Sequence, residues 1–163
     1  FLPPATFADE EGVAAAAEQI NACAAIAAGA GVTLGYHNHW WEFGQRIGDD
    51  SAWWRFLDLL DPAVVVELDM YWATVGGVDV TAVMDRLGDR LRLLHVKDGP
   101  ADDPAAPMVA VGSGALDIAG LLGAAPRVDW HVVELDRCAT DMITAVADSC
   151  RWLTSNGLSA GRS

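Results

Sequence analysis

The sequence predicts an α/β fold built around a parallel β-sheet. Four β-type segments begin near residues 32, 63, 91 and 130, and each gap between them contains one segment with helical periodicity. This alternation is typical of right-handed βα units packed around a parallel sheet. Four such strands fit either a small open doubly wound sheet or half of a closed eight-stranded barrel, which typically takes about 250 residues. The order of elements does not distinguish these two architectures.

Each strand is a short apolar run bounded by turn residues, and we expect strands near 32–39, 63–69, 91–97 and 130–136. Helical spacing of apolar residues predicts helices over 7–28, 51–60 and 140–155, with shorter ones after Asp79 and Asp117. No stretch resembles a linker between two domains. We therefore expect residues 1–163 to form a single domain.

Composition excludes several classes of protein. The chain has 163 residues, 52% of them hydrophobic, which is enough for a globular core, and its formal net charge of −13 disfavours nucleic acid as a partner. The longest weakly charged stretch, 12–31, carries Glu18 and is not a membrane span. Three cysteines without a C-x-x-C pair indicate neither a disulfide framework nor a thiolate metal site, so we expect a cytoplasmic protein.

Ionisable residues lie at the carboxyl end of every predicted strand. Residues i and i+2 of a strand share a face, and four such pairs face one way: His37 with His39, Glu67 with Asp69, His95 with Lys97, and Glu134 with Asp136. The opposite faces are mostly aliphatic. Carboxylates and imidazoles that converge at one edge of a sheet need a neutralising partner, and a divalent cation is the simplest one. Such oxygen and nitrogen ligands without thiolate suit Mn²⁺, Mg²⁺, Co²⁺ or Zn²⁺.

Two further features have more modest interpretations. Glu67 lies one layer below Asp69 and is expected to pair with Lys97 or Arg92 rather than to bind a metal. The Gly-Ser-Gly run at 112–114 could bind an anion through its backbone N–H groups, but we interpret it as a turn.

Five sequence runs together resemble a known family. In order, 35–43 (GYHNHWWEF), 68–72 (LDMYW) with 77–79 (GVD), 94–99 (LHVKDG), 111–117 (VGSGALD) and 133–136 (VELD) resemble the sugar phosphate isomerase/epimerase family, which has a xylose isomerase-like TIM barrel. The resemblance implies that these segments are the last four strands of an eight-stranded barrel. We therefore expect a partial barrel, corresponding to the C-terminal half of a longer protein or to a half-barrel that forms a homodimer.

The resemblance also implies a set of site residues. Asp69, His95 and Glu134 take three of the four places that hold the family's metal. The fourth falls to His37, which stands where many relatives carry the ligand Glu, or to Glu42 of the His-Asn-His-x-x-Glu run. We favour Glu42 as the fourth ligand and, with Glu134, as a catalytic carboxylate. The expected substrate-binding residues are His37, His39, Trp72 and Lys97.

The predicted function is a divalent-metal-dependent isomerase or epimerase that acts on a sugar, keto-sugar or cyclitol through an enediolate-type intermediate. In that chemistry the cation acidifies a C–H bond between two substrate oxygens, and two carboxylates move the proton. One alternative is a keto-sugar lyase or dehydratase that uses the same site. Another is a non-catalytic fragment that binds metal and sugar without turnover. The expected partner is a small carbohydrate, with neither nucleic acid nor membrane involved.

Overall fold

A computed structural model describes residues 1–161 of the chain. Its main sheet has four parallel strands, β1 (Gly35–His37), β2 (Val65–Asp69), β3 (Leu91–Val96) and β4 (Trp130–Val133), in that spatial order. Each strand pairs with the next one along the sheet, so Asp69 lies opposite His95 and Val96 lies opposite Val133. This confirms the predicted parallel α/β architecture. A second, antiparallel pair joins Arg46–Ile47 to Asp50–Ser51.

All but one of the α-helices in residues 1–161 begin after an Asp or Ser whose side chain caps the first turn, and the exception follows Trp40. They are α1 (Glu10–Gly29), α2 (Trp41–Gly44), α3 (Ala52–Leu59), α4 (Met70–Val75), α5 (Val80–Leu87), α6 (Ile118–Ala124) and α7 (Met142–Ser155). Helix α1 starts later than predicted because Pro4–Phe7 forms a separate 3-10 turn, and the Asp9 carboxylate then accepts the N–H of Gly12. Asp79 and Asp117 cap α5 and α6 as expected.

The two faces of the sheet have opposite chemical character. Val66, Leu68, Leu94 and Val96 are fully buried against the apolar faces of the helices, which confirms the predicted aliphatic face. The opposite face carries the ionisable pairs. Because the strands are parallel, their carboxyl ends meet at one edge, where α/β folds place their functional groups.

Strand β1 is shorter than predicted because a side chain takes over its pairing. Asn38 is fully buried, its Nδ2 donates to the Asp69 carbonyl at 3.2 Å, and its Oδ1 accepts the Asp69 N–H at 2.9 Å. The amide thereby replaces one step of the backbone ladder between β1 and β2. This clamp fixes the backbone of Asp69 beside the end of β1.

The long loop that follows β3 folds around one buried carboxylate. Asp98 is fully buried and accepts backbone N–H groups from Gly99, Gly112, Gly114 and Leu116 at 2.9–3.2 Å. Gly112 has a positive φ of 86°, and a Cβ on Gly114 would lie 2.0 Å from Asp98 Oδ1. The Gly-Ser-Gly turn therefore does bind an anion, which is the chain's own carboxylate.

Among residues 1–161, no helix combines the length and the apolar character that crossing a membrane requires.

Candidate metal centre

Four side chains at the carboxyl edge of the sheet converge on one point. His37, Asp69, His95 and Glu134 each offer one ligand atom, and these four atoms lie within 4.8 Å of one another. The residues come from the ends of β1, β2 and β3 and from the position directly after β4. The structure thus brings together three of the four favoured ligands, Asp69, His95 and Glu134, with His37, the alternative to Glu42 for the fourth place.

Asp69 is oriented by the junction between β2 and α4. It ends the strand and caps the helix, because its Oδ1 accepts the Trp72 N–H at 2.8 Å. The other oxygen, Oδ2, consequently points towards the two imidazoles, at 3.6 Å from His95 Nδ1 and 3.9 Å from His37 Nε2. The sequence did not indicate helix α4, so this double role of Asp69 emerges only from the structure.

His95 is surrounded by carboxylates. Its Nδ1 lies 2.9 Å from Glu134 Oε2, and its Nε2 lies 3.2 Å from Glu67 Oε1. Burial alone would lower the pKa of His95, but Asp69, Glu134 and Glu67 together raise it to about 11. The same contact with His95, helped by Lys97 and opposed by burial, lowers the pKa of Glu134 to about 2. The carboxylates around His95 therefore favour its imidazolium form.

His37 has the opposite electrostatic character. Burial lowers its pKa to about 4, because the imidazolium is poorly solvated there and the nearby Asp69 compensates only in part. The ring is therefore neutral near pH 7, which is the form that binds a metal. Its ring centroid lies 4.1 Å from that of His95.

Glu42, expected both as the fourth ligand and as a catalytic carboxylate, lies outside this group. Its carboxylate is fully buried, with Oε1 accepting the Tyr36 hydroxyl and Oε2 accepting the His39 N–H, each at 2.9 Å. The physical reason is local: α2 turns the side chain back on the preceding residues, as a capping-box glutamate does. Glu42 thus fixes the turn after β1, and His37 is the fourth residue of the converging group.

Lys97 is a fully buried cation beside the group. Its Nζ lies 2.9 Å from Asp69 Oδ2, 2.6 Å from Glu134 Oε2 and 2.7 Å from Asp136 Oδ2. Burial opposes the ammonium form, but these three carboxylates raise the pKa of Lys97 above its usual range. Glu67, which we expected to pair with Lys97 or Arg92, contacts His95 instead, and Arg92 pairs with Asp129.

Aromatic rings line one side of the site. The His39 ring stacks on Trp41 with a centroid distance of 4.2 Å and an interplanar angle of 9°. Trp72 is buried, its ring lies 4.7 Å from that of Trp40, and Lys97 Nζ lies 5.4 Å from its centroid. His39 and Trp72 therefore border the group of four without belonging to it.

Sequence reasoning missed Asn38 as a functional residue and left Asp136 without a role. Asn38 had a detectable signal, because strand alternation places it on the aliphatic side of β1, and a buried amide requires partners. Asp136 was recognised as facing the site, but its contact with Lys97 depends on the relative placement of β3 and the segment after β4.

The donor set fits a divalent cation. Among residues 1–161, three buried atoms that face the centre of the group, Asp69 Oδ2, His95 Nδ1 and Glu134 Oε2, make ion-pair contacts with one another or with Lys97 but no hydrogen bond of good geometry. Buried polar atoms rarely remain unsatisfied in native proteins. Two carboxylates and two imidazoles suit Mn²⁺, Zn²⁺ or Co²⁺ better than Ca²⁺. These four residues could therefore hold a metal ion.

Comparison with known proteins identifies the architecture of the chain. A family model described as xylose isomerase-like TIM barrel matches residues 2–156. Among solved structures, the chain is similar to a sugar phosphate isomerase/epimerase from Parabacteroides distasonis ATCC 8503, with 26% identity and a TM-score of 0.78 over 92% of this chain and 54% of that one. No match is found among curated proteins.

A second sugar phosphate isomerase/epimerase from the same organism shows 23% identity and a TM-score of 0.76, covering 93% of this chain and 56% of that chain. A D-allulose 3-epimerase from Methylomonas sp. shows 16% identity and a TM-score of 0.66, covering 90% and 56%. These two likenesses show the fold alone. The chain spans about half the length of the solved structures that it matches. Its segments and their order agree with a partial barrel, and the chain belongs to the xylose isomerase-like TIM-barrel family.

Proposed function

We propose that this chain carries the metal-binding and proton-transfer groups of a divalent-metal-dependent isomerase or epimerase that acts on a sugar, keto-sugar or cyclitol. The observation that supports the proposal most directly is the convergence of His37, Asp69, His95 and Glu134 within 4.8 Å at the carboxyl edge of the sheet. Family membership and the similarity to a sugar phosphate isomerase/epimerase support the same reaction class.

In this proposal the four converging residues hold the metal, with His37 rather than Glu42 as the fourth ligand. A bound divalent cation supplies Lewis-acid polarisation of a substrate carbonyl or hydroxyl oxygen. The ligand roles require His95 to give up its proton, since an imidazolium cannot coordinate. The neighbouring carboxylates keep His95 protonated at neutral pH in the metal-free site. Metal binding at neutral pH is therefore accompanied by release of this proton.

Glu134 is proposed as the group that accepts the substrate proton. Its side chain is 42% exposed, so it can face a substrate, while its lowered pKa keeps the carboxylate ionised at neutral pH. Lys97 supplies a fixed positive charge beside it, which favours negative charge that develops on a substrate oxygen. His39 and Trp72 border the site, where a ring edge or face can contact the C–H surface of a sugar.

The first experiment measures Mn²⁺ binding to the purified chain. Replacement of His95 by alanine should abolish stoichiometric binding, because it removes a central ligand. His131→Ala is the matched control, since His131 lies on the same sheet but is bound to Ser159 Oγ at 2.6 Å, outside the group. Equal Mn²⁺ content in both variants would refute the assigned metal site.

The second experiment follows exchange of substrate C–H protons with solvent deuterium in a panel of keto-sugars and cyclitols. Glu134→Gln should slow exchange by about 10²–10⁴-fold, the usual contribution of a general base. The experiment is performed on the chain alone and on any longer natural form that contains it. Appearance of a dehydrated or cleaved product in place of an epimer would assign the lyase or dehydratase reaction instead. Unchanged exchange in Glu134→Gln would rule out its role as the base.

A further inference from the structure

Lys97 contacts the same carboxylate oxygens that would bind the proposed metal. The ammonium lies 2.9 Å from Asp69 Oδ2 and 2.6 Å from Glu134 Oε2. These are the carboxylate oxygens that also face His95, at 3.6 and 2.9 Å. Lys97 is therefore a cation that already contacts these oxygens in the metal-free site, beside His95.

The Lys97 ammonium and a divalent ion cannot both contact these oxygens without a cost in electrostatic free energy. Charges a few ångströms apart interact strongly when they are buried, because little solvent screens them. A divalent ion held by Asp69 and Glu134 consequently weakens both of these contacts with Lys97. A fully buried ammonium that loses its partners is strongly destabilising unless another anion remains in contact with it.

Asp136 is placed to be that remaining anion. Its Oδ2 accepts a hydrogen bond from Lys97 Nζ at 2.7 Å, and it does not belong to the group of four. Its side chain is 35% exposed, so the carboxylate can stay hydrated on one side while it holds the ammonium on the other. The loop around Asp98 also contacts the segment after β4 that carries Asp136, because the Met108 N–H donates to the Arg137 carbonyl at 3.1 Å.

We propose that Asp136 is a positioning residue that retains the Lys97 ammonium beside the site when a divalent metal takes the oxygens of Asp69 and Glu134. Metal binding is then an exchange of the partners of Lys97, from three carboxylates to one. This inference rests on the proposed metal site, and it adds a role for a residue outside that site. It explains how a buried lysine can coexist with a metal that uses two of its three counter-ions.

The test is a double-mutant cycle on Mn²⁺ affinity, measured from the electron paramagnetic resonance signal of free Mn²⁺ during titration of the chain. Lys97→Met should bind Mn²⁺ about tenfold more tightly, since the competing cation is gone. Asp136→Asn should bind it about tenfold more weakly, because Lys97 then has no partner in the metal-bound state. In the Lys97→Met background, Asp136→Asn should change the affinity by less than about threefold.

The last of these measurements separates the proposal from simple attraction. If Asp136 acted only through its negative charge on the metal, Asp136→Asn would weaken binding equally in both backgrounds, and the proposal would be overturned. An unchanged affinity in Lys97→Met would overturn it as well. A wild-type chain that binds no Mn²⁺ would instead refute the proposed function.

The chain offers a matched control pair on the same sheet. Arg92 and Asp129 form an ion pair at the amino ends of β3 and β4, away from the metal group, and both side chains are half-exposed. Arg92→Met and Asp129→Asn make the same charge changes and should leave Mn²⁺ affinity within about twofold, because exposed charges at a distance are screened. Each variant is checked for folding by its melting temperature. If Lys97→Met does not fold, Lys97→Gln, which keeps an amide donor without the charge, replaces it in the cycle.

Discussion

Replacement of Asp98 by alanine should destabilise the chain more than replacement of any exposed aspartate in the same loop. The buried carboxylate accepts three N–H groups from residues more than ten positions away, Gly112, Gly114 and Leu116, at 3.0–3.2 Å. A hydrogen bond to a charged group contributes about 1.5–3 kcal/mol, and non-additivity favours the low end, so the expected loss is about 4 kcal/mol. That is a large share of the roughly 5–15 kcal/mol typical of a whole domain.

The assay is urea unfolding in the presence of a chelator, with Asp103→Ala as the control. Asp103 lies in the same loop but is exposed, and its side chain accepts the N–H of Ala105, two residues further along the chain, at 2.7 Å. Its replacement should cost less than about 1 kcal/mol. A loss of stability in Asp98→Ala as small as that in Asp103→Ala would show that the loop does not depend on the buried carboxylate.

Three other predictions concern the site. The pKa of His95 rises from 6.5 to about 11 on folding. The protonated ring therefore contributes its full stabilisation below pH 6.5, and this contribution is lost progressively as the pH rises towards 11. In metal-free protein the melting temperature should fall between about pH 7 and 9, and His95→Gln should make that fall smaller. Tyr36→Phe leaves Glu42 short of a donor and should cost about 1–3 kcal/mol in urea unfolding, with Mn²⁺ affinity unchanged. Asn38→Ala removes both bonds to the Asp69 backbone and should weaken Mn²⁺ binding as well as stability, whereas a loss of stability alone would contradict its positioning role.

The parts of the fold that the sequence revealed are those determined by neighbouring residues. Alternation along β2 and β3 identified both faces, because a strand has a fixed period of two. Asp79 and Asp117 identified two helix starts, because an N-cap acts within three residues. Helix α4 was not predicted, since it follows β2 without a turn and its first residues, Met70 and Tyr71, are apolar and continue the strand-like pattern.

Distant contacts explain what the sequence could not supply. The Gly-Ser-Gly turn carries the backbone signature of an anion site, but nothing local indicates that Asp98, fourteen residues before Gly112, fills it. The partner of Glu67 was misassigned for a related reason. Strand alternation gives the face on which a side chain lies, whereas the choice between Lys97 and His95 depends on the register between β2 and β3, in which Asp69 is opposite His95.

The three residues between β1 and α2, 38–40, determine whether His37 or Glu42 lies within the group of converging ligands. The Asn38 side chain forms two hydrogen bonds with the backbone of Asp69 in β2. His37 is therefore the last β1 residue that faces the site. The chain then turns at α2, and Glu42 is carried back over that turn to accept the His39 N–H. Each oxygen of the fully buried Glu42 carboxylate accepts a hydrogen bond, whereas the neutral His37 ring has its Nε2 3.9 Å from Asp69 Oδ2. In the proposed metal site, the His-Asn-His-x-x-Glu run therefore divides its polar residues: His37 serves as a ligand, Asn38 holds the backbone of β2, and Glu42 fixes the turn.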